Sequence, residues 1–109
     1  MNVQNESQLL SNVGTMLNYT ADEISEDKTL RDRLKLIIKN GVEHLRSFAP
    51  DLTDNDFNQE GKPQELLFAY CRYANSNADE MFDTNYHALL LALRFEYEVR
   101  ADNEDQNES

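Results

Sequence analysis

Asp54, Asp56, Asn58, Glu60 and Glu65 fall at the first, third, fifth, seventh and twelfth positions of a twelve-residue stretch. That is the spacing of oxygen ligands in a calcium-binding loop between two helices. Gln59 stands where such a loop turns on a glycine, and Gly61 where an apolar residue would seat it. Pro63 and Glu65 also read as the start of a following helix. A solvated polar loop is therefore expected, with calcium as a second reading that calorimetric titration would test. Cys71 sits among Leu67, Tyr70 and Ala74 at helical spacing, the setting of a buried, inert thiol. His44 and His87 are the only histidines and neither lies in a nucleophile motif. The chain has no glycine-rich phosphate loop, paired-cysteine zinc motif or His-Glu-x-x-His. No enzymatic activity, cofactor or metal is expected.

What remains is chemistry for contacting partners. Tyr70 and Tyr73 flank Cys71 and Arg72, and Tyr86, Arg94 and Tyr97 follow further on. Tyrosine and arginine are enriched at interface centres, where a rigid ring or planar guanidinium is desolvated at modest entropic cost. The same rings can instead complete a small core with their hydroxyls at its edge. The residue types leave both roles open.

The elements that must position these side chains are helical. The chain has 109 residues, enough for one domain with one core, and only three glycines and two prolines. From Leu30 to Phe48 the apolar residues 30, 34, 37, 38, 42, 45 and 48 draw one stripe along a long helix. That helix is expected from about Asp27 to Phe48, stopped before Pro50. Gly41 lies inside it and is expected to let another backbone approach, while His44 falls at the boundary of the stripe. A shorter helix should carry Leu9, Leu10, Val13, Met16 and Leu17, weakened at Gly14. Thr20 with Glu23 fits a capping box, which starts a further turn. Pro63 opens a third helix carrying Leu66, Leu67, Tyr70, Cys71 and Ala74, and the pattern fails at Asn75 to Asn77. Asp83 or Thr84 can cap a fourth, with Tyr86, Leu89, Leu90, Leu93 and Tyr97 on one face and Leu91, Phe95 and Val99 on another. Apolar residues on two faces imply burial on two sides. The expectation is an all-α bundle of about four helices over residues 1–100, with a disordered acidic tail at 101–109.

Twenty-one acidic against ten basic residues give a formal charge of −11. The bases are interleaved with acids, as in Arg31, Asp32, Arg33 and Lys35, so no basic stripe is present to displace counterions from a phosphate backbone. One cysteine allows no internal disulfide, and no segment has the length or hydropathy of a membrane span. The residues 1–17 show neither a basic leader nor an apolar block, so an intracellular product is expected.

The order of these features resembles the head-tail connector, or head-completion adaptor, proteins of tailed bacteriophages. The resemblance is carried by Leu17-Asn18-Tyr19, the acidic entry Asp22, Glu23, Glu26 and Asp27, and the long helix with Leu30, Leu34, Ile37, Ile38, Val42 and Leu45. It continues through Pro63, Leu66-Leu67-x-x-Tyr70-Cys71-Arg72-Tyr73 and Asn85-Tyr86-x-x-Leu89-Leu90. It implies a cofactor-free structural protein of the virion head-tail junction, made in the host cytoplasm. Such a protein forms a homo-oligomeric ring beneath the portal protein, extends the DNA channel and offers a platform to a downstream neck or tail protein. DNA would pass without specific binding, which suits an acidic chain. By position, portal contact falls to Tyr97, Val99 and Arg100 at the end of the fourth helix. The candidate interface is then Tyr70, Arg72, Tyr73, Tyr86, Arg94, Tyr97, Val99 and Arg100. A different class of function, an acidic DNA mimic that occupies a nucleic-acid-binding partner, requires carboxylates at phosphate-like spacing. Here the acids are scattered among loops, helix starts and the chain end.

Overall fold

Asp27 sets the start of the longest stripe: its side chain accepts the Leu30 amide, and the helix then runs Lys28–Phe48 (α3) to Ala49, just before Pro50. The computed structural model describes residues 3–108, with side chains described over 5–103, and all its regular elements there are helical. Before α3 come α1 (Val3–Met16) and α2 (Ala21–Glu26); after it come α4 (Asp54–Phe57), α5 (Lys62–Asn75), a 3-10 turn at Asp79–Met81 and α6 (Phe82–Glu108).

Leu34, Ile37, Ile38, Val42 and Leu45 are buried along α3, as the stripe requires. This helix is the central support, touching α1, α2, α5 and α6. Its closest neighbour is α5, and Gly41 explains the approach. A Cβ at Gly41 would lie 2.8 Å from both Leu67 Cδ1 and Tyr70 Cδ1. The glycine thus makes room for side chains of α5 rather than for a second backbone, a correction to the sequence expectation.

Among the described residues there are six α-helices where the sequence suggests about four, and both additions are short and capped. Thr20 and Glu23 form the expected capping box at α2. The other box goes unnoticed in the sequence: Thr53 accepts the Asp56 amide while the Asp56 carboxylate accepts the Thr53 amide, and the chain winds into α4. Arg31 closes the end of α2 by donating to the Ile24 and Ser25 carbonyls at 3.1 and 2.9 Å. Arg33 does the same for α5, holding the Asn75 carbonyl at 3.0 Å and its side-chain amide oxygen as well.

The last helix also departs from expectation. Neither Asp83 nor Thr84 caps it; α6 grows directly out of the 3-10 turn, and Tyr86 interrupts its geometry with φ −114° and ψ 15°. Its backbone stays helical to Glu108, beyond the Arg100 boundary drawn from the sequence; the side chains of 104–108 and all of Ser109 lie outside the described residues.

The core is one cluster built on Phe57, Phe82 and the leucines at 9, 45, 66, 67, 90 and 93, with no buried polar or charged residue among the described residues. Among those residues no helix is long and apolar enough to cross a membrane.

Candidate docking surface

The two faces of α6 meet different surroundings. Leu90, Leu93 and Tyr97 are buried against the core, with Tyr86 packed at its margin. Leu91, Phe95 and Val99, each four residues from the next, fall on the opposite side of the same helix. They are 42, 68 and 40% exposed. Ala88 and Ala92 lie beside them, and Glu98 and Asp102 border the same stripe. Large apolar side chains in register on a solvent face mark an interaction surface, unlike apolar residues scattered singly.

The tyrosines singled out in the sequence lie elsewhere. Tyr70, Tyr73 and Tyr86 surround the fully buried Phe82, with ring centroids 5.5, 6.1 and 5.0 Å from it. The Phe82 and Tyr86 rings stack, while the others meet edge to face. His44 joins this cluster at 5.8 Å from Tyr70, and its Nε2 contacts a carboxylate oxygen of Asp83. This contact explains why Asp83 is not a helix cap: it reaches across to α3 instead. Burial first, then the acids Asp79 and Asp83, raise the Tyr70 phenol above its ordinary pKa. Asn85 donates to the Tyr73 hydroxyl at 3.0 Å. These three rings join α3, α5 and α6 and complete the core at its edge.

Tyr97 is also turned inward. Burial raises its pKa, reinforced by the Asp56 carboxylate beside its hydroxyl, and the Arg100 guanidinium lies 4.7 Å over its ring. Arg100 pairs in turn with Glu96 at 3.0 Å. Arg94 sits 4.9 Å over the Phe48 ring, and Arg72 reaches the Met16 sulfur. Arg72, Arg94, Val99 and Arg100 are exposed, whereas Tyr97 is core. The eight candidates therefore do not form one patch. Residue type singles out Tyr97 rather than Phe95, yet Tyr97 is buried and position 95 belongs to the stripe that faces away from the core.

A second open surface lies along α3. Leu36 is 58% exposed there, and with Ile38 and Val42 it forms the apolar lining of an open groove whose charged residues balance: Asp32, Lys35, Lys39, Glu43 and Arg46 of α3, with Glu6 of α1. Lys39 and His44 are five residues apart, so they stand about 140° apart around α3. The groove consequently lies away from the flank that meets α6 through Asp83.

Two carboxylates of the loop with calcium-like spacing, Asp54 and Asp56, are used internally. Asp54 binds Arg46 at 2.9 Å, accepts from Asn5, and receives the Asn58 side-chain amide on its carbonyl. Burial alone would raise the Asp54 pKa, but the hydrogen bonds from Arg46 and Asn5 hold it below its ordinary value. Asp56 is engaged as the α4 cap. Among the described residues no cluster of three or more His, Cys, Asp or Glu side chains is placed to hold a metal ion. Cys71 is fully buried, and burial pushes its thiol up to about 12.

No family model, curated protein or solved structure matches this chain.

Proposed function

We propose that this protein is a non-enzymatic assembly subunit, a head-tail connector of a tailed-bacteriophage virion that forms a ring beneath the portal protein. The observation that supports this reading best is the outer stripe of α6, Leu91, Phe95 and Val99, held on a helix whose other face is already in the core. A helix apolar on opposite sides is built to be covered on both, and the fold itself covers only one.

The rest of the molecule is consistent with a structural role. The thiol is sealed, the histidine in the aromatic cluster bridges two helices, and Asp54 and Asp56 of the polar loop pair and cap locally. The net charge of −11 would let DNA pass a ring of such subunits without exchanging its counterions. The placement at a phage neck rests on the sequence resemblance.

The experiment is electron microscopy of the chain mixed with its cognate portal protein. A ring of density added below the portal is expected. A chain that stays monomeric and never binds the portal would overturn the proposal.

A further inference from the structure

Helix α6 has two bases, Arg94 and Arg100, and neither serves its outer face. Measured around the helix from Phe95, Arg94 stands about 100° away and Arg100 about 140°. Arg94 covers the Phe48 ring, and Arg100 pairs with Glu96 over the Tyr97 ring. The acids are placed the other way. Asp102 returns to within about 20° of Phe95 and Glu98 to within about 60°. Both are exposed, and neither has an ion pair or hydrogen bond among the described residues. They are four residues apart, so two like charges adjoin across one turn, an arrangement that destabilises a helix until a cation is brought to it. The last turn of α6 has no base either, although the C-terminal end of a helix carries partial negative charge that cations offset.

We infer that the outer stripe of α6 is the docking site for a cationic amphipathic helix of a different protein. Leu91, Phe95 and Val99 supply the apolar contact, and the short side chains of Ala88 and Ala92 beside them let a second helix lie close. The stripe runs for about 12 Å, the length of two turns of a partner helix. Lysines or arginines flanking the partner's own apolar residues meet Glu98 and Asp102, so the two acids gain counter-charges only when the stripe is covered. Charge selects this occupant over a second copy of the chain. Each copy carries −11, and the outer face of α6 has no lysine or arginine to offer the acids of another. An anionic lipid surface and a nucleic acid are disfavoured for the same reason. The inference rests on the assembly role proposed above and names the chemistry of the partner that this face takes.

The probe is a labelled synthetic peptide of about eighteen residues, with leucines at i, i+3, i+4 and i+7 spacing and lysines between them. It is titrated with the full chain by fluorescence anisotropy, beside the same peptide with glutamate in place of lysine. The lysine peptide is expected to bind and the glutamate peptide to stay free. Phe95→Ser should weaken binding at least about tenfold. Glu98→Gln with Asp102→Asn should weaken it about tenfold and make its salt dependence shallower. Asp22→Asn with Glu26→Gln removes two exposed acids from α2, which does not touch α6, and should change binding less than about twofold. If that remote pair matters as much as the α6 pair, the peptide answers only to net charge and the inference is overturned. Self-association of the chain alone that Phe95→Ser abolishes would put a second copy on the stripe and overturn it too. If the portal gains a ring while the lysine peptide does not bind, only this partner chemistry fails; if neither occurs, the assembly role falls with it.

Discussion

Helix α6 carries two apolar faces of nearly the same composition with opposite fates. Leu90, Leu93 and Tyr97 sit in the core, whereas Leu91, Phe95 and Val99 face solvent. The difference teaches that apolar character says a face must be covered but not by what. The inner face is covered by α3 and α5 within the fold. The outer face has no cover within the chain among the described residues, and therein lies the case for assembly.

The comparison breaks if the two faces respond alike to a buried charge. Leu93→Asp should cost about 4 kcal/mol or more, because an unpaired carboxylate then replaces a fully buried side chain, and the protein should fail to fold. Phe95→Asp should leave the thermal midpoint within a few degrees while abolishing association. Circular dichroism melts of the pair decide this. Next in size is Gly41→Val, which drives branched carbons into Leu67 and Tyr70 and should cost about 2 to 3 kcal/mol in urea denaturation.

Cys71 sharpens the inner side of the comparison. Its thiol should react with an alkylating reagent at least about a hundredfold more slowly in the folded protein than in urea, since access requires opening the core. The smallest expected effect is at Asp54. Its folded pKa lies below its ordinary value of 3.8, so its pairing with Arg46 stabilises the fold above that pH and is lost as pH falls through the folded value. Asp54→Asn should therefore lose under about 1 kcal/mol near neutrality. The variant and the parent should converge in stability as the pH is taken well below 3.8.

The long helix was legible in the sequence because its signals agree, seven apolar positions in one stripe and Pro50 after its end, whereas the Asp27 cap is seen only in the structure. Helix α4 was not, because its carboxylates fit two patterns at once. Asp54 and Asp56 have the spacing of cation ligands, but Thr53 ahead of them makes Asp56 the partner in a capping box, and the local hydrogen bonds decide the outcome. The candidate docking surface was half legible. Periodicity placed Leu91, Phe95 and Val99 on one face, yet tyrosine's abundance at interfaces pointed to Tyr70, Tyr73, Tyr86 and Tyr97. Those rings pack around Phe82 or beside Asp56, and only tertiary contacts reveal it.

The most direct test sets the parent chain beside Phe95→Asp in electron microscopy with the portal protein. With both proteins equally folded, the parent should add a ring beneath the portal and the variant should add none. The same ring from both would contradict the claim that the outer face of α6 is where this protein assembles.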